Sequence, residues 1–102
     1  ALGSMNPASN ADTYNTAMGY NAGAAVTTGV QNTLIGGLAG DAITTASATA
    51  VGYSSLTLLT TGGDNTAVGG RSLFSTTTGA SNTAVGKDVM YYNTKALTKQ
   101  II

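Results

Sequence analysis

Four aspartates, Asp12, Asp41, Asp64 and Asp88, are the only acidic side chains in the 102 residues, and histidine, cysteine and glutamate are absent. Acid–base catalysis needs a positioned base, most often histidine or a paired carboxylate. A hydroxyl nucleophile needs the same partner. The many threonines and serines therefore have nothing to activate them, and an enzyme is not expected. The absence of cysteine excludes a disulfide framework and thiolate chemistry. A carboxylate pair could form only if the chain brings two aspartates together across a distance. The alternative role for each is a solvated or turn-forming one. No catalytic, cofactor or metal site is expected.

The elements that would position these residues follow from a repeat. Gly19, Gly36, Gly52, Gly69 and Gly86 each close a similar word, at intervals of 17, 16, 17 and 17 residues. The residue before each glycine is Met18, Ile35, Val51, Val68 or Val85. Two before stand Ala17, Leu34, Ala50, Ala67 and Ala84; three before is always threonine. Four before is asparagine, except at Ala48. A Thr-Thr-Gly word recurs between these, as Thr-Thr-Ala at 44–46. The short interval loses its residue between that word and "ATAVG", in a turn.

Seventeen residues are too few for two helices and a turn, and threonine and valine favour strands. Each unit therefore reads as strand, turn, strand, turn. The first strand is N-T-A-V. The second covers the apolar stretch after the glycine, as in 22–26, 55–59 and 72–76. Stacked units predict an all-β fold, a β-solenoid or β-roll of about five coils. Asparagines in one column can hydrogen-bond along the stack. The column glycine is expected where the corner needs positive φ or close backbone approach. Residues 1–4 read as an expression-tag remnant, 5–14 as a lead-in, 15–88 as the solenoid and 89–102 as a C-terminal cap or tip, with no sixth coil.

Alternation along N-T-A-V gives two apolar columns on opposite faces. Val68 and Val85 are expected inside, and Ala67 and Ala84 toward neighbouring chains. A core of alanine and valine is thin for a lone chain, so a cyclic homo-oligomer is expected. Zero net charge gives no footprint for nucleic acid or an anionic membrane, and no apolar run is long enough to span a bilayer. "GGLAGD" at 36–41 is similar to calcium-binding β-roll words, but lacks their G-x-D phase and does not recur. Stacked threonines raise ice binding as an alternative, although the Thr-Thr pairs sit at corners.

"NTAVGGRSLFSTTTGASNTAVGK" (65–87) resembles the N-T-A-[VI]-G repeats of phage tail fibres and related bacterial surface fibres. The strand word is similar to S-V-A-I-G in trimeric autotransporter adhesin heads, from which it departs in its longer period and in threonine where those carry valine. The resemblance spans about residues 15–88. It implies an extracellular homotrimeric fibre segment on a virion or bacterial surface, joined to neighbouring fibre domains. It further implies a host glycan or protein receptor, the alternative being a spacer that binds nothing. The repeat breaks towards the C-terminal end, where Tyr91, Tyr92, Lys87 and Lys95 gather with Lys99. These are the candidate receptor contacts, with Tyr20 and Tyr53, which share the column after the glycine. Tyr91 and Tyr92 are adjacent, so in a strand they face opposite ways.

Overall fold

The computed structural model describes residues 13–92, Gly3 and the backbone of 99–101. The rest of the tag remnant, most of the lead-in, and Lys95 in the C-terminal segment lie outside the described residues. Six short strands, β1 (Thr16–Met18), β2 (Thr33–Ile35), β3 (Ala48–Val51), β4 (Asn65–Val68), β5 (Asn82–Val85) and β6 (Lys99–Ile101), form one parallel sheet in chain order. The register sets like over like: Thr16 beside Thr33, Thr49 beside Thr66, Ala67 beside Ala84, Val68 beside Val85. The result is a β-solenoid of about four turns with a period near 17 residues, not about five coils. Four turns separate β1 from β5, and the passage to β6 crosses residues 93–98, outside the description.

β6 corrects the expectation that no further coil begins. Its sequence has lost the repeat words, yet Lys99 pairs with Asn82 at the usual 17-residue step. Backbone pairing along the open side of β5 needs an extended segment, not a particular side chain.

The expected second strand is not formed in any of the described coils. After each column glycine the chain makes successive turns in which alternate residues are left-handed: Leu38 and Gly40, Ser54 and Leu56, Arg71 and Leu73, Asp88 and Met90, at φ between 50° and 62°. Amides of the first of each pair reach back one coil, as in Ser54 N–H to Gly37 O (2.9 Å) and Arg71 N–H to Tyr53 O (2.8 Å). Amides of the second reach forward, as in Leu56 N–H to Ser72 O (3.1 Å). The amides between them close turns within the coil, as in Ser72 N–H to Gly69 O (3.2 Å). A left-handed non-glycine residue costs on the order of 1 kcal/mol. Here Leu38, Ser54, Leu56, Arg71, Leu73 and Asp88 each secure a hydrogen bond to a neighbouring coil.

The core lies between the sheet and this turn wall, and it reverses the expected faces. Ala50, Ala67, Ala84 and Leu34 are fully buried, whereas Met18 is 68% and Val85 37% exposed. The alanine column points in and the valine column out. The reason is room. Leu56, Leu59, Leu73, Ile43 and Val26 enter from the turn wall and fill the interior, which leaves space for alanine on the sheet side. Asparagine shares alanine's face, and Asn32, Asn65 and Asn82 are buried with it. Asn32 and Asn65 hold the facing corner: Asn32 Nδ2–H donates to Ala46 O (2.8 Å) and Asn65 Nδ2–H to Gly79 O (2.7 Å). Their Oδ1 atoms accept the next coil's amide, from Ala48 (2.8 Å) and Asn82 (3.0 Å). The expected ladder therefore runs along the inside, and joins side chain to backbone as well as Asn82 Nδ2 to Asn65 Oδ1 (3.2 Å).

Candidate interaction surfaces

The outer sheet face carries two columns that local alternation pushes out of the core. One is threonine: Thr16, Thr33, Thr49, Thr66 and Thr83, in register from coil to coil. The other is apolar: Met18 and Val85 are exposed at its ends, and Ile35, Val51 and Val68 are half-buried between them. Around the glycine corner Tyr20 (76% exposed) and Tyr53 (62%) continue this surface. The Thr-Thr corners differ: Thr27 and Thr60 donate their hydroxyls to Thr44 O and Thr77 O of the next coil.

The turn wall presents a second surface near the C-terminal end. Tyr91 stacks on Phe74, one coil below, with ring centroids 4.7 Å apart and planes within 4°. The Tyr92 ring meets Tyr91 edge-on at 4.8 Å. Arg71 Cζ lies 5.8 Å from the centre of the Tyr91 ring, and Arg71 Nε is 2.8 Å from Asp88 Oδ1. Both charged groups are substantially exposed, so the pair contributes little to stability, about 0–1 kcal/mol. Its geometric effect is to hold the guanidinium beside the aromatic stack.

Tyr91 is thus half-buried and Tyr92 exposed. The segment is a turn rather than a strand, so the two rings touch instead of facing opposite ways. Lys87 is exposed on the neighbouring corner column, while Lys95 lies outside the described residues. Tyr20 and Tyr53 share the corner column that Lys87 ends, four residues ahead of the column that carries the aromatic stack. Sequence reasoning missed Phe74, Arg71 and Asp88. The signal was the period itself: Phe74 and Tyr91 are 17 apart, as are Arg71 and Asp88.

The remaining acids stay apart. Asp64 is exposed beside the sheet, and Asp12 lies outside the described residues. Asp41 has a buried Oδ1 with no hydrogen-bond partner among the described residues. Desolvation raises its pKa above the ordinary 3.8, opposed by a hydrogen bond from its own backbone amide. Among the described residues no three metal-ligating side chains gather. The chain matches no family model, no curated protein and no solved structure.

Proposed function

We propose that this chain is a structural and host-attachment segment of a homotrimeric extracellular fibre, non-enzymatic, of the kind carried by phage tails or bacterial surfaces. The observation that supports it is the outward apolar column from Met18 to Val85, continued by Tyr20 and Tyr53. Three copies with parallel axes bury this column against one another. The interface side chains are therefore the valine column, and the alanines serve the core. The aromatic stack of Phe74, Tyr91 and Tyr92 with Arg71 remains on the turn wall, outside that interface. Aromatic faces and a guanidinium suit sugar and protein surfaces. Three copies make weak single contacts act together.

The test begins with mass. Light scattering should give three times the 10.0 kDa chain mass at micromolar concentration. Val68→Lys should leave a folded monomer, whereas Ala67→Leu should overpack the core and lower thermal stability, by about 1–3 kcal/mol. A monomeric wild type removes the fibre reading. For attachment, host-cell and glycan-array binding is compared for Tyr91→Ala and Tyr92→Ala against Tyr20→Ala, all as intact trimers. Loss confined to the first two supports the site on the turn wall. A trimer that binds no host surface is a spacer.

One observation favours a second reading. The strand threonines form an in-register outward column on a parallel sheet, a regular array of the type that orders water for ice binding. It competes for the face used by the trimer. A monomer with thermal hysteresis, abolished by Thr49→Tyr and Thr66→Tyr, selects this reading over the fibre.

A further inference from the structure

The coil that contains β3 is one residue short, and the residue it lacks can be named by position. In the other coils two residues separate the Thr-Thr corner word from the strand word; here Ser47 stands alone. The second of the two is left-handed in every other coil, at Tyr14, Gln31, Asp64 and Ser81, with φ of 54° to 62°. Asp64 N–H donates to Ser47 O (2.8 Å) as Ser81 N–H donates to Gly63 O (3.0 Å), so Ser47 is the equivalent of Gly63. The missing residue is the left-handed one. Its place is a notch of about 280 Å³ lined by Gln31, Ser47, Thr49, Asp64 and Thr66. Roughly 150 Å³ suffices for a benzene ring.

At the far end of the same strand stands Tyr53, 62% exposed. Its column neighbours are Gly37 and Gly70, so the ring has no side chain beside it and leans over Gly37; a Cβ there would lie 3.4 Å from Tyr53 Cδ2. We propose that the notch before β3 receives Tyr53 of a neighbouring copy, and that this knob and hole fix the axial register of the assembly. The proposal rests on the trimeric reading above. In a cyclic assembly the contacts are heterologous: the strand end of one copy meets the strand start of the next, and rotation leaves height along the axis unchanged. Tyr53 and the notch share one coil, so they meet at one height. The chemistry matches too. A tyrosine brings a flat apolar body and a hydroxyl, which can donate to the Asp64 carboxylate or the Gln31 amide oxygen.

Such a device answers a problem that repetition creates. Coils about 4.8 Å apart with nearly identical outer columns let neighbouring stacks slide by one coil at small cost. A slide by one coil sets Tyr53 against Gln31 or Asp64 at a full corner. One irregular position can specify register, as a single polar residue does in coiled coils.

The chain has no cysteine, so the test is direct. Ser47→Cys with Tyr53→Cys, treated with a short bis-maleimide, should close a covalent trimer on a denaturing gel, while Ser47→Cys with Tyr20→Cys should give none. Inserting one asparagine between Ser47 and Ala48 restores a full corner. It should weaken trimer association about tenfold or more, as Tyr53→Ser does, with no further loss when the two are combined. A trimeric wild type in which the Ser47–Tyr53 pair fails to cross-link, or in which the Ser47–Tyr20 pair does, overturns the register lock and leaves the trimer standing. An insertion variant that folds, by circular dichroism, and associates as tightly as wild type also overturns it. A monomeric wild type overturns the lock together with the trimeric reading.

Discussion

In the second to fourth coils the interior accepts one large side chain at a shared position, supplied from either wall, and this makes a sharp prediction. In the second coil the sheet gives Leu34 and the turn wall gives Gly40. In the third and fourth the sheet gives Ala50 and Ala67, and the turn wall gives Leu56 and Leu73, all fully buried. A Cβ added at Gly40 would lie 2.8 Å from Leu34 Cδ2 and 2.7 Å from Ile43 Cδ1. The leucine of one wall therefore occupies the space that the leucine of the other wall would need. Leu34→Ala alone should cost about 2–5 kcal/mol through lost burial and the residual cavity. Gly40→Leu alone should cost about 1–3 kcal/mol through overpacking. The left-handed backbone is no obstacle in itself, because Gly40 has φ 54° and Leu56 and Leu73 hold 52° and 50°. The double variant rebuilds the arrangement of the third coil. It should be more stable than either single variant, with a coupling of roughly 2–3 kcal/mol. Urea unfolding at one fixed protein concentration, with oligomeric mass checked for each variant, measures all four corners of the cycle. Additive losses would refute the shared-space account.

Two further outcomes follow from the backbone and from charge. Gly69→Val should lower the melting temperature far more than Gly63→Val, because a Cβ at Gly69 (φ 128°) would lie 2.6 Å from the Gly86 carbonyl carbon, whereas nothing lies within 4 Å of one at Gly63; equal melting by circular dichroism would refute this. Asp41 is the pH case: burial raises its folded pKa, so the carboxyl binds its proton more tightly in the fold, stability falls as pH rises from the unfolded value of about 3.8 through the folded one, and the loss is complete above it. Asp41→Asn should therefore raise the melting temperature at pH 7 and leave it nearly unchanged at pH 3, and an equal shift at both would refute the desolvation account.

Much of this architecture is legible in the sequence because stacking turns a chemical requirement into a column. Gly69 was assigned to a corner needing positive φ or close approach, and it has both. The asparagine ladder was legible for the same reason, since Asn32, Asn65 and Asn82 recur where one corner must be held. The choice of inner face was not. Alternation separates Ala67 from Val68 but does not say which is inside, and side-chain size pointed the wrong way. The deciding fact is the bulk arriving from the turn wall, at Leu56 and Leu73, and that wall was itself misread as strand. Leucine, arginine and methionine at positive φ run against local preference. Repeated hydrogen bonds between coils overrule it there. Phe74 and Tyr91 were hidden for a related reason: they stack only because the turn wall keeps the 17-residue register that a sequence without matching words conceals.

Inner and outer columns vary in different ways, and the difference locates what is particular to this chain. Inside, changes compensate one another: Leu34 with Gly40 against Ala50 with Leu56, or Ala48 in the asparagine column, where Asn65 Nδ2–H instead holds the Gly62 carbonyl of its own coil at 3.1 Å. Outside they do not. The column after the corner glycine reads Tyr20, Gly37, Tyr53, Gly70, Lys87, and the column that contains the aromatic stack reads Ala24, Asp41, Thr57, Phe74, Tyr91. Neither trend improves packing within the turn: Tyr53 remains mostly exposed, and Asp41 leaves a buried oxygen unpartnered. A stack under only structural demand would fill such positions uniformly, as the threonine column of its strand face does. The irregular outer positions, together with the single short coil, are thus where contact with another molecule has to be sought.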